Sequence, residues 1–147
     1  MRINFIFICL ILAFLAGCDD TNGSAFGTVN TNLKPLDCDL NLQICTKEFN
    51  GTKVKFEISP KPILAMEKHI FKISNLNANF KNPEIIFKGV NMYMGDIASP
   101  LQKSENGEFR ATFMLSFCTT SVMRYHSEIY DNKEPTGIFI EFDVIKR

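Results

Sequence analysis

The sequence predicts an all-β chain, an antiparallel β-sandwich of about seven short strands, and three observations carry that expectation. Asn50-Gly51 stands between two runs of alternating apolar and polar residues, which is the strongest short hairpin signal. Phe109, Ala111, Phe113, Leu115 and Phe117 alternate cleanly with Arg110, Thr112, Met114 and Ser116. Runs of strand length then recur to the C-terminus with Pro, Gly and Asn between them, and only residues 63–71 compete, weakly, as a helix. The 147 residues are 46% apolar, with fourteen Phe and no Trp, enough for a core and for one domain. Sixteen Lys and Arg balance sixteen Asp and Glu, which argues against a basic nucleic-acid binder.

Ahead of that domain, residues 1–17 read as a signal peptide. Arg2 supplies the positive start, and residues 3–16 are apolar apart from Asn4. The run is shorter than the roughly 20 residues a membrane-crossing helix needs. It stops at Gly17-Cys18 and is followed at once by Asp19-Asp20-Thr21-Asn22. Leu15-Ala16-Gly17-Cys18 resembles the bacterial lipobox, which implies cleavage before Cys18, diacylglycerol on its thiol and acylation of its new amine. Two acyl chains pass the threshold for stable anchoring that one chain does not reach. Asp19 is similar to the retention signal of enteric lipoproteins, which implies the periplasmic face of the inner membrane. An ordinary secreted protein cut near Cys18 is the competing reading. Residues 18–36 then form the lipidated Cys and a flexible tether spanning roughly 20–25 Å, and residues 37–147 form the sandwich.

The strands are justified in chain order. A two-residue turn at Asn50-Gly51 pairs positions summing to 101, so Cys45 faces Phe56, Lys47 faces Val54 and Phe49 faces Thr52. Cys45, Phe49, Val54, Phe56 and Ile58 then share the core face, and Thr46, Glu48, Lys53, Lys55 and Glu57 face water. Pro60-Lys61-Pro62 breaks the pattern. Residues 68–76 follow with Phe71 and Ile73 inward, and Asn82-Pro83 marks a turn. Residues 84–94 read as one strand with a bulge at Gly89. Residues 109–117, 122–130 and 137–145 complete the seven, the last with Ile138, Ile140, Phe142 and Val144 inward.

Once Cys18 is lipidated, Cys38, Cys45 and Cys118 remain in an oxidising compartment, an odd count that implies one disulfide and one thiol left over. Cys38 and Cys45 are the nearest pair and the favoured bridge. Spacing alone leaves Cys118 with either of them as the competing pairing.

Chemistry-bearing motifs are scarce. The chain has no Gly-rich phosphate loop, no His-Glu-x-x-His and no Gly-x-Ser-x-Gly, so an enzyme is not expected. The one concentration is soft: Met92, Met94, Met114, Cys118, Met123 and His126 fall within 35 residues, and thioether, thiolate and imidazole together suit Cu(I). The competing reading is that these Met side chains fill core gaps and Cys118 packs as a small hydrophobe. If residues 84–94 and 108–118 formed a hairpin, Cys118 would lie near Glu84, more than about 30 Å from Met94, and one site could not use both. Cys118 with Met123 and Met92 with Met94 would then be separate candidates. That objection weakens if the two strands lie in different sheets.

Gly89-Val90-Asn91-Met92-Tyr93-Met94-Gly95 and Gly107-Glu108-Phe109-Arg110-Ala111 give the chain a resemblance to the YtkA-like or FixH-like small periplasmic sandwich domains. In those domains a strand runs into Met-x-Met and a Gly-x-aromatic-x-Ala strand follows. The pattern covers roughly residues 52–145, and it departs where such domains carry a Gly-x-Trp strand, since Met123-Arg124-Tyr125-His126 stands there. The resemblance implies an immunoglobulin-like fold and an association with copper-enzyme maturation, and it assigns no catalytic residue. The expectation is therefore a lipid-anchored periplasmic module that binds or assembles with another envelope protein. The alternative is a Cu(I)-binding protein using Met92, Met94, Cys118, Met123 and His126.

Overall fold

Asn50 and Gly51 adopt φ of 49° and 76°, the two left-handed conformations that a type I′ turn requires. The turn sets β1 (Cys45–Phe49) against β2 (Thr52–Ser59) in the expected register, with Cys45 opposite Phe56 and Phe49 opposite Thr52. The computed structural model describes residues 32–118 and 122–146. The predicted signal peptide, Cys18 and the tether as far as residue 31 lie outside the described residues, as do positions 119–121 and 147.

Seven more strands follow: β3 (His69–Ser74), β4 (Pro83–Gly89), β5 (Ile97–Pro100), β6 (Gln102–Lys103), β7 (Phe109–Phe113), β8 (Val122–Asp131) and β9 (Glu134–Ile145). Among the described residues there is no helix, and residues 63–71 are loop and the start of β3. One sheet has the order β1-β2-β3-β7-β6 and the other β5-β4-β8-β9, all antiparallel. With β1 set aside as an added edge, these orders reproduce the A-B-E-D and C′-C-F-G sheets of an immunoglobulin-like sandwich. The two strands beyond the expected seven, β5 and β6, are one short segment that changes sheet at the buried Leu101. Its Ser99 hydroxyl donates across the sandwich to the Thr112 carbonyl at 2.8 Å.

Alternation places Phe56 and Phe71 on the inner face of one sheet and Phe87, Tyr125 and Phe142 on that of the other. Phe113 closes the gap, 4.7 Å from Phe87 in a stacked pair and 6.1 Å from Phe142 edge-on. Such pairs contribute about 0.5–1.5 kcal/mol each beyond area burial. They occupy the centre that Trp and an inter-sheet disulfide fill in antibody domains. Tyr125, near the start of β8, donates its hydroxyl to the Ser116 carbonyl at 2.8 Å, the tyrosine-corner contact of this architecture. Burial raises its phenol pKa above the usual value.

Two expected strands are shorter than the alternation implied. Residues 84–94 leave the sheet at Gly89 because the chain there turns onto β8. The Val90 amide donates to the Arg124 carbonyl at 2.8 Å, and the Asn91 side chain bonds the Val122 carbonyl and the Arg124 amide. A Cβ on Gly89 would lie 2.0 Å from the Met92 carbonyl oxygen, so only glycine permits the turn. Residues 114–117 likewise leave β7, although Leu115 remains buried. Their carbonyls serve the Met66 amide and the Tyr125 hydroxyl instead of a neighbouring strand. The hairpin considered between residues 84–94 and 108–118 does not form. β4 pairs with β5 and β8, whereas β7 pairs with β3 and β6 in the other sheet.

Connections alternate between the two ends of the sandwich. One end carries the turns at 50–51, 75–82, 104–108 and 132–133, whose exposed residues are polar apart from glycine. The other gathers the loops at 38–44, 60–68, 90–96 and 114–118. Bonds from Ile63 and Ala65 to Ile145, and from the Asn41 side chain to the Asp143 carbonyl and the Ile63 amide, tie the sheets together there. His69 is buried between these loops, its ring nitrogens 3.1 Å from the Pro60 carbonyl and 3.0 Å from that of Leu64. It is a pin for a loop rather than a surface ligand.

Candidate functional site

β1 and β9 are the outer strands of their respective sheets and lie on the same side of the sandwich, leaving a seam between them. Residues 34–38 run along this seam, and the space left is a groove of about 440 Å³ bounded by Thr46 and Lys47 of β1, Arg124 of β8, and Phe139, Ile140 and Glu141 of β9. Register explains Lys47: it shares the inward face with Cys45 and Phe49, but at the edge strand that direction opens onto the seam. Its ammonium sits 4.3 Å from the centre of the Phe139 ring, a cation–π contact. Phe139 also stacks on His126 at 4.8 Å and meets Phe49 edge-on at 6.2 Å.

Charge is organised around that aromatic. His126 lies between two carboxylates, Nδ1 3.6 Å from Glu141 and Nε2 3.6 Å from Glu128. Nearby, Arg124 makes a bidentate pair with Asp143 at 2.8 and 2.9 Å and donates its remaining arm to the Lys34 carbonyl. Its hydrogen bonds to Asp143 raise the guanidinium pKa, outweighing the desolvation that would lower it. Arg124 is therefore a fixed cation that fastens residues 34–38 to the domain, whereas Lys47 reaches into the groove. A disulfide joins Cys38 to Cys45 at the same place, as favoured from spacing, and it closes one wall. The groove presents cations, carboxylates, an aromatic face and two strand edges, a composition suited to holding an extended polypeptide.

The sulfur residues are arranged differently. Met92 and Met123 are both in the core, and both approach Gly89, where the Met123 methyl lies 3.3 Å from the position of a Cβ. Met94 and Cys118 are half-buried against that core, and Cys118 is a free thiol. Met114 is exposed. Because β4 and β7 lie in different sheets, Met94 and Cys118 arrive at the same end of the sandwich, and the separation expected from a shared hairpin does not apply. His126 stands apart: it points to the outer face of β8, whereas Met123, three residues before it, points to the core. The soft donors at this end are thus Met92, Met94, Cys118 and Met123, and His126 is not among them. Among the described residues, no three His, Cys, Asp or Glu side chains gather into a metal-holding group.

Lys34, Lys47, Arg124, Phe139 and Glu141 were not singled out by sequence reasoning. Lys47 entered only as the partner of Val54, Arg124 only within Met123-Arg124-Tyr125-His126, and Phe139 is an apolar residue out of phase with Ile138 and Ile140. That phase error was the available signal, since a large aromatic on the outer face of a strand needs a cover. Lys34 belongs to the segment whose composition reads as tether. Compared with protein-family models, with curated proteins and with solved structures, the chain matches none.

Proposed function

We propose that this chain is a lipoprotein anchored through acylated Cys18 at the periplasmic face of the inner membrane. Its sandwich is a non-catalytic module that binds another envelope protein. The observation that carries the binding role is the seam groove, where the outer strands β1 and β9 border one space furnished with Lys47, Phe139 and Glu141. An extended segment of a partner adds to such an edge through main-chain hydrogen bonds, while side-chain pockets select it. A photo-crosslinking residue at Phe139 or Thr46 should capture one envelope protein reproducibly in intact cells, and the same residue at Lys133 should not. Absence of any adduct at the groove positions, or equal capture from Lys133, would remove the groove from the function. The anchor is checked separately: Cys18→Ala should abolish lipid labelling and leave the precursor uncleaved, and normal maturation of that variant overturns it.

Cu(I) handling is the second reading, favoured by the convergence of Met92, Met94, Cys118 and Met123 at one end of the sandwich. One Met and a thiol at a rim, Met94 and Cys118, with Met92 and Met123 beneath, form a soft donor set for Cu(I). Anaerobic titration of the mature protein against a weak chelator decides it. Binding that is lost with Met92→Leu/Met94→Leu or with Cys118→Ser places the metal there. No binding by the wild type excludes this reading.

A further inference from the structure

Seven large apolar side chains are exposed among the described residues: Leu42, Ile44, Met66, Ile70, Val90, Tyr93 and Met114. Their positions in the fold are not scattered. Leu42 and Ile44 flank the start of β1, beside the Asn41 side chain that bonds the Asp143 carbonyl and the Ile63 amide. The Met66 amide bonds the Leu115 carbonyl, next to Met114. Val90 bonds the Arg124 carbonyl near the start of β8, and Tyr93 follows in the same loop. Ile70 is the second residue of β3. Register and these bonds put all seven at the end of the sandwich where β2, β4, β7 and β9 finish and β3, β5 and β8 begin. Three are more than half exposed by a wide margin, Leu42 at 79%, Tyr93 at 64% and Met66 at 59%. Scattered single apolar residues on a surface need no explanation, but confinement of all of them to one end does.

The chain itself indicates what covers that end. Residues 34–38 are fastened here by the Arg124 contact and the Cys38–Cys45 bridge. Thirteen residues, 19–31, stand between Cys18 and Asn32, and the tether expected from their composition would span roughly 20 Å. β9, with twelve residues, is itself about 40 Å long. An anchor at Cys18 therefore brings this end, and not the opposite one, within reach of the bilayer. Tyr93 suits the site, since an amphipathic ring settles at the headgroup level. The neighbouring Asp96 carboxylate raises its phenol pKa.

We propose that the loop end carrying Leu42, Ile44, Met66, Val90, Tyr93 and Met114 rests on the lipid surface, so that the domain stands on the membrane instead of swinging freely above it. The proposal rests on the anchor reading given above. It holds the polar turn end away from the bilayer and sets the seam groove along the side of a fixed body.

The absence of Trp from the chain makes the test direct, because each introduced Trp is the sole indole. The full gene is expressed with Tyr93→Trp, Met114→Trp or, at the opposite end, Lys133→Trp. The mature lipoprotein is then reconstituted into phosphatidylethanolamine–phosphatidylglycerol vesicles with or without bromine on the acyl chains. Apolar side chains seated about 5–10 Å into the headgroup boundary approach the bromines. Emission from Tyr93→Trp and Met114→Trp should therefore fall by about half or more and shift to the blue, while that from Lys133→Trp is unchanged. Protein that floats with the vesicles yet shows no difference between the ends overturns this inference and leaves the anchor standing. Protein that does not float overturns the anchor and this inference with it. Cross-linking of Met114→Cys to the same position in a second copy, with loss of quenching, assigns the face to self-association and also overturns it.

Discussion

The two ends of the sandwich turn the chain with opposite materials. At the polar end three of the four connections, 50–51, 104–108 and 132–133, are short and carry their own chemistry. Asn50, Gly51, Asn75, Gly107, Asn132 and Lys133 all take left-handed φ, between 49° and 82°, where Gly and Asn are favoured. At the apolar end the loops are longer, and their backbone groups are satisfied by one another: Met66 to Leu115, Ala65 to Ile145, Val90 to Arg124. A reversal closed by local conformation depends on one or two residue types, whereas a reversal closed by contact depends on every loop that supplies a partner. The apolar end should accordingly be the more sensitive to single changes.

The largest expected effect is at Gly89. An added methyl would meet the Met92 carbonyl at 2.0 Å, a backbone atom that cannot swing aside. Gly89→Ala should cost on the order of 3 kcal/mol in urea denaturation, at the upper end of overpacking penalties. Gly107→Ala, at φ +82° with nothing within 4 Å, should cost only about 1 kcal/mol, the price of left-handed backbone for alanine. Equal costs would break the contrast between the ends. Next comes the disulfide at the apolar end. Cys38→Ala/Cys45→Ala should lower stability by about 2–3 kcal/mol, since the bridge closes a short loop of sequence separation 7. Non-reducing peptide mapping should find Cys118 alkylatable and unbridged.

At the polar end, Gly51→Val should cost about 1 kcal/mol or more, because a β-branched residue is strained at φ 76°. An unchanged melting curve would show that the β1–β2 turn tolerates another geometry. The smallest effect is electrostatic. Arg110, then Asn106 and Ser74, bond Glu108 and hold its carboxyl down to about 2 from 4.5. A depressed carboxylate pKa stabilises the fold above the unfolded value, and that contribution is lost as pH falls from about 4.5 through about 2. Glu108→Gln should therefore flatten the acid limb of stability in that window and lower stability at neutral pH, where the contribution of the carboxylate is fully present. An acid limb of the same slope in the variant would place the titration elsewhere.

Legibility followed the same division. The β1–β2 hairpin was readable to the residue because both its turn and its alternation are local, and the inward sets at Phe71 and Ile73 and at Ile140, Phe142 and Val144 were readable for the same reason. The ends of β4 and β7 were not. Val90 to Met94 and Met114 to Phe117 keep a strand-like alternation, but their hydrogen bonds go to β8 and to the 63–66 loop, and alternation carries no record of a partner. Strands β5 and β6 were missed because four and two residues are too few to show a period. The groove was legible only in pieces. His126 was noticed for its imidazole, yet of the contacts that place it only Glu128 is on its own strand, and Phe139 and Glu141 come from 13 and 15 positions away across the pairing with β9.

By itself the sequence determined what depends on neighbours in the chain: an all-β fold, the Asn50-Gly51 turn with its register, the core faces of β2, β3 and β9, and the nearness in sequence that favours Cys38 with Cys45. Only the tertiary structure decided what depends on which strands meet. It put β4 and β7 in different sheets, brought Met94 and Cys118 to one end, and opened a groove between the edges of β1 and β9. It also collected the exposed apolar residues where the chain enters the domain. The physical reason is that period and turn chemistry act over a few residues, whereas sheet order is chosen by burial of the whole aromatic core, and many local patterns are compatible with more than one order.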